Sequence, residues 1–152
     1  MRKISAVLAV LAVLALAAPK AMCQASTANS SAGAVVHLQG TSNAPTAAIG
    51  AGAGAGPDAA ATLTGTDLAF QLTVAADGSP TGSNAVVATV TFATPYATAP
   101  YAVFSPANNA AAALTGATSC YVTTTPTQLV LHSGASALSD DVTYAFNFLL
   151  SQ

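Results

Sequence analysis

The sequence predicts an all-β fold, an antiparallel β-sandwich, and three observations lead there. Apolar and polar residues alternate in short runs, most plainly in DLAFQLTV (67–74) and VTYAFNFLL (142–150). A period of two turns one face of each run toward a core. Clusters of Gly, Pro, Asp and Ser separate the runs, as in ADGSPTGS (76–83), and these are turn formers. Apolar residues make up 53% of the 152-residue chain and charged residues only 5%. That balance favours collapse over disorder and fits one domain.

The first 25 residues read as a leader. Arg2 and Lys3 precede an unbroken apolar run, ISAVLAVLAVLALAA (4–18), and the small residues Ala21, Cys23 and Ala25 follow. This is the layout of a secretory signal peptide. The run is shorter than the ~20 apolar residues that a spanning helix needs. Cleavage after Ala25 is expected, with cleavage after Cys23 as second choice. Lipidation of Cys23 is disfavoured, because Lys20 and Met22 stand where a lipobox has an apolar and a small residue,. The expected location is therefore secreted, extracellular or at a cell surface.

Loss of residues 1–25 removes Arg2, Lys3 and Lys20, every basic residue of the chain. Asp58, Asp67, Asp77, Asp140 and Asp141 remain, with no Glu, for a formal charge of −5. Nucleic acid is excluded as a partner, since its affinity rests on Lys and Arg displacing counterions. An anionic membrane is disfavoured for the same reason once the leader is gone. Cys120 is then the one remaining cysteine. It cannot form an internal disulfide, which leaves packing beside Val122 or a link to another chain.

Residues 26–60 are expected to be a flexible N-terminal segment. AVVHLQ (34–39) is a candidate edge strand and GAGAGAG (50–56) reads as a linker,. Residues 61–152 are expected to form the sandwich of six to seven strands. In 67–74, Leu68, Phe70, Leu72 and Val74 share one face, and Asp67, Ala69, Gln71 and Thr73 the other. In AVVATVTF (85–92), Val86, Ala88, Val90 and Phe92 share a side. The link ATPYATAP (93–100) holds two prolines and is a corner. YAVFSP (101–106) is the next strand. NNAAAAL (108–114) is open between a helical turn and a loop. SCYVTTT (119–125) sets Cys120 and Val122 against Tyr121 and Thr123. TQLVLHS (127–133) sets Leu129 and Leu131 against Val130 and His132. The last strand carries a stripe of Val142, Tyr144, Phe146, Phe148 and Leu150. A buried aromatic contributes about 1.5–3 kcal/mol, so Phe70, Phe92, Phe146 and Phe148 should dominate the core.

From about Leu63 to Leu150 the chain resembles a β-domain found at the ends of phage tail fibres. The matching stretches are GTD (65–67), GSP (78–80), VATVTFATPYATAP (87–100), SPANNAAAAL (105–114), YVTTTPTQLVL (121–131) and TYAFNFLL (143–150). The layout is also similar to H-type lectins. The resemblance implies a six-stranded sandwich that trimerises and binds N-acetylgalactosamine-type sugars. Lectin sites of that kind use Arg and Trp beside Asp and His, and this span contains neither Arg nor Trp.

Chemistry-bearing residues are few. His37 and His132 are the only imidazoles. Ser133, Asp140 and Asp141 lie near His132, but no G-x-S-x-G elbow exists for a hydrolase. With no Glu and a single adjacent Asp pair, the two convergent carboxylates of a glycosidase are not expected. No Cys/His spacing suits a metal, and GAGAGAG lacks the Lys-Ser/Thr of a phosphate loop. No catalytic residue, metal or cofactor is expected. Asp140 and Asp141 belong in the turn before the last strand. Tyr121 and Thr123, with His132, form an outward polar-aromatic patch. These five residues are the candidate ligand-binding set. The expected function is a secreted, non-catalytic surface-recognition module for a glycan or cell-surface ligand, in a homo-oligomer (a trimer). The competing reading is a self-assembling subunit of an extracellular filament, with AVVHLQ adding to a neighbour's open edge.

Overall fold

A computed structural model describes residues 44–152. The expected leader, the AVVHLQ run and His37 lie outside the described residues. Eight strands build two four-stranded, fully antiparallel sheets: β1 (Thr46–Ile49), β2 (Ala60–Gly65), β3 (Ala69–Ala76), β4 (Val86–Thr91), β5 (Tyr101–Pro106), β6 (Tyr121–Thr124), β7 (Gln128–His132) and β8 (Val142–Ser151). Sheet I has the order β1-β4-β7-β6 and sheet II the order β2-β3-β8-β5. Their inner faces share one core. Leu72, Val74 and Leu150 of sheet II and Val87, Val90, Leu129 and Leu131 of sheet I have no exposed surface. Phe148 stacks on Phe70 at 4.9 Å and on Phe104 at 5.4 Å. The expected stripe of β8 is thus the spine of sheet II, and the all-β sandwich is the observed architecture.

β1 and β2 bring the count to eight, against the six to seven expected. β1 (TAAI) and β2 (AATLTG) are built mainly of Ala and Thr, so hydropathy barely alternates along them. They are strands because neighbours offer them a ladder: Thr46 pairs with Thr91 and Ala60 with Ala75. The domain therefore begins before residue 61.

The Gly/Ala segment is not a linker. Residues Ala51–Ala53 form a 3-10 turn, and Gly52 and Ala53 are buried. The Asp77 N–H donates to the Ala53 carbonyl (3.0 Å), and the Gly56 N–H donates to the Asp77 carbonyl (2.9 Å). Small residues let this backbone lie directly against the backbone of the 77–78 turn. Gly54, at φ +98°, touches the Asp77 carbonyl where any Cβ would collide. Composition suggested flexibility, and close packing decided otherwise.

Two facing assignments also change. Val87, not Val86, joins Ala88 and Val90 in the core, and Val86 is exposed. A β-bulge between Val86 and Ala88 inserts one residue against β7, which flips everything before it to the other face. Asp67 precedes β3 and is buried rather than outward. Its carboxylate accepts the N–H groups of Ala93 (2.9 Å) and Thr94 (2.8 Å), and its carbonyl accepts the Tyr96 hydroxyl (2.7 Å). One acid thereby holds the proline corner onto sheet II. Burial, with the Asp67 charge second, pushes the Tyr96 phenol above its ordinary value.

The open alternative at NNAAAAL resolves as a helical turn, α1 (Asn109–Ala112). Asn108 caps it by accepting the Ala111 N–H at 2.9 Å. The same carboxamide accepts the Ala145 N–H (3.2 Å) and donates to the Thr143 carbonyl (2.8 Å). Where β5 stops, α1 continues along the edge of β8 and closes it.

Candidate functional site

The sequence-predicted residues fall into two groups at one end of the sandwich, the end that carries loops 77–85 and 133–141. Tyr121 and His132 are a cross-strand pair of β6 and β7. Both point outward because Val122 and Leu131, one step along, point into the core. Their rings stack at 4.8 Å between centroids and 8° between planes. Thr123, also outward, places its Oγ1 at 3.1 Å from His132 Nε2. The other ring nitrogen, Nδ1, lies 3.3 Å from the Asn84 carbonyl oxygen. A carbonyl can only accept, so Nδ1 carries a proton, and in the neutral ring Nε2 accepts from Thr123. His132 is thereby locked as a platform beside Tyr121.

Asn84 sits at φ +64°, a left-handed conformation that Asn tolerates,, and its carbonyl thereby meets the ring. Val86 faces His132 from β4, so the outward row runs Tyr121, His132, Val86. β6 is the edge of sheet I among the described strands, and Tyr121 on it is 40% exposed. Asn84 and Val86 were not legible as part of this group. The bulge that turns Val86 outward has no local sequence mark.

Ser133 points the opposite way. It is fully buried, and its hydroxyl accepts the Ala85 N–H at 3.1 Å. Alternation along the strand places it on the other face from His132, so the two do not form a nucleophile–base pair.

The second group is acidic. Asp140 and Asp141 occupy the turn before β8, as expected, and Asp141 adopts φ +56°. Asp77, from the β3–β4 turn, joins them, with carboxylate oxygens of the three within 4.8 Å of one another. Asp77 also accepts the Asp58 N–H at 2.9 Å. Asp58, Asp77 and Asp141 line a shallow depression with Ala75, Ala76, Val142 and Thr143. The charge of Asp140 is the main cause that raises the Asp141 carboxyl above its ordinary 3.8, followed by a hydrogen bond and the charge of Asp77. An all-oxygen donor set is the kind that hard cations take, although Ca²⁺ uses about 6–8 oxygens and this grouping offers three carboxylates. Asp58 and Asp77 were missed from sequence, because only the fold brings three separate turns together.

Cys120 is half-buried and packs against the core beside Val122. Burial pushes its thiol up to about 11, so it stays protonated at neutral pH and is a poor nucleophile.

Fold and groupings together define the class: an all-β sandwich with an aromatic–hydroxyl row and a carboxylate cluster at one end. Comparison with protein-family models, with curated proteins and with solved structures finds no match.

Proposed function

We propose that the domain is a secreted, non-catalytic recognition module that takes neutral glycans on the outer face of sheet I around Tyr121. The observation that carries this reading is the locked Tyr121–His132 ring pair, with Tyr121 40% exposed and the Thr123 hydroxyl beside the imidazole. A pyranose presents an apolar C–H face that packs on an aromatic ring, while its hydroxyls seek donors and acceptors at the rim. Rigid aromatics supply such area at low entropic cost. The acid cluster on the same end disfavours anionic glycans, and no Lys or Arg stands anywhere in residues 44–152 to offset it,. The resemblance to H-type lectins points to the same ligand class, with N-acetylgalactosamine-type sugars as the first to try. Asp140 and Asp141 then serve as hydroxyl acceptors at the neighbouring turn.

A glycan array followed by calorimetry tests the reading. Binding to a neutral glycan is expected, weakened at least about tenfold by Tyr121→Ala, which removes ~1.4 kcal/mol or more. No binding to any neutral glycan, or binding that Tyr121→Ala leaves unchanged, overturns it.

A further inference from the structure

At the other end of the molecule, the outer face of sheet II carries an apolar patch beside the exposed, mutually hydrogen-bonded Gln71 and Asn147. Tyr101 is 79% exposed, Val103 69% and Leu149 46%, the largest exposures among the big hydrophobic residues. Val103 pairs with Leu149, and Leu149 with Ala69, so three strands contribute to the patch. It ends on β5, the edge of sheet II.

Between its terminal prolines the backbone of that edge has no ladder partner but β8 among the described residues, while at its start the Pro100 carbonyl accepts the Thr124 hydroxyl of β6 (2.7 Å). The Leu150 N–H donates to Leu68, on the β3 side, while the Ala145 carbonyl receives the Ala107 N–H on the β5 side. Odd-numbered residues of β8 therefore direct their backbone toward β5. By register, Tyr101, Val103 and Ser105 bond to β8, and Ala102 and Phe104 direct N–H and C=O outward. β5 pairs with no second strand among the described residues. Phe104 is only half-buried despite stacking on Phe148. The edge carries no charge, and its prolines, Pro100 and Pro106, stand only at its ends, so the usual protections of an edge are lacking between them. By contrast, α1 covers the adjoining edge of β8.

We infer that β5 is the seam of a two-fold dimer, in which β5 pairs antiparallel with β5 of a second copy around Val103. In this register Ala102 lies opposite Phe104 of the other copy, and Phe104 opposite its Ala102. Both pairs exchange two N–H···O bonds, so every outward amide between the prolines is used. Val103 meets its own copy as a non-hydrogen-bonded pair, where side chains come closest. Tyr101 lies across from Ser105 on the same face. The two prolines limit slippage, because neither can donate to the ladder.

The register selects a second copy, because the segment between the prolines is its own antiparallel complement, and the placement of charge does not oppose it. The exposed aspartates gather at the far end of sheet II, about 26 Å from Leu149 to Asp141 at ~3.3 Å per residue. Antiparallel pairing sends the two acid clusters to opposite ends of the dimer. A basic partner would be drawn to those clusters and away from this uncharged edge. The inference stands on sheet II alone and does not depend on glycan binding at sheet I.

Light scattering and sedimentation equilibrium on the purified chain test it. A two-chain mass is expected. Val103→Lys sets like charges face to face and should weaken the dimer at least about tenfold, with unchanged circular dichroism. In a Cys120→Ser background, Val103→Cys should cross-link efficiently on mild oxidation, since non-hydrogen-bonded pairs fit disulfide geometry. Thr62→Cys, on the β2 edge, should not. A single-chain mass at up to about 1 mM, a three-chain mass, or a dimer that Val103→Lys leaves intact overturns the inference. It is equally overturned if deleting residues 26–43 alone dissolves the dimer, because the occupant is then the N-terminal segment.

Discussion

The buried carboxylate of Asp67 receives two backbone N–H groups from a segment some distance away in sequence. Hydrogen bonds to a charged acceptor are worth about 1.5–3 kcal/mol each, and leaving buried donors unpaired costs more than the bond returns. Asp67→Ala should therefore destabilise the domain by about 3 kcal/mol in urea titration. Asp67→Asn, which keeps one acceptor oxygen, should cost less. An Asp67→Ala loss below about 0.5 kcal/mol would show that the corner holds itself. At this scale the sequence misleads, because a lone Asp before a strand looks like surface. His132 and Tyr121 are the converse. Their alternation against Leu131 and Val122 was legible, so their outward direction was too, but their stacking required the register of β6 against β7.

Among the elements, the Gly/Ala segment carries the clearest lesson. Gly54 has a left-handed φ, and a Cβ there would collide with the Asp77 carbonyl; Gly116 has φ +56° but nothing near its Cβ position. Torsion alone costs an L-residue about 1–2 kcal/mol. Gly116→Ala should cost about that much, whereas Gly54→Ala should cost about 3 kcal/mol or more, since backbone must also move. Equal losses in chemical denaturation would mean that the contact with the 77–78 turn is not what orders residues 50–56. Strands with strong contrast, β3 and β8, were legible because Phe, Leu and Val alternate with smaller or polar residues along them. β1 and β2 were not, since Ala and Thr sit almost equally well on either face.

For the whole molecule, the distribution of charge matters more than its amount. Asp58, Asp77, Asp140 and Asp141 crowd one end, and the apolar row occupies the other. An acid whose value is raised on folding binds its proton more tightly in the native chain than in the unfolded one. The Asp141 contribution is therefore full below 3.8 and is lost as pH rises through its raised value,. Thermal melts should show Asp141→Asn gaining on the parent chain as pH rises above 3.8, with the gap shrinking in about 1 M salt, where screening shortens to ~3 Å. A gap that does not change with pH would mean that the carboxyls do not interact.

By itself the sequence determined that the chain folds as stacked antiparallel sheets, which positions line the core in most strands, and that the domain's charge is wholly acidic. These are local or compositional properties: alternation needs only neighbours, and charge only a count. Tertiary structure alone decided that the Gly/Ala segment is packed, that Val87 replaces Val86 in the core, that Asp67 is inside, and that four aspartates meet. Each of those depends on which backbones lie side by side, and residues far apart in sequence settle that jointly through pairing and close packing.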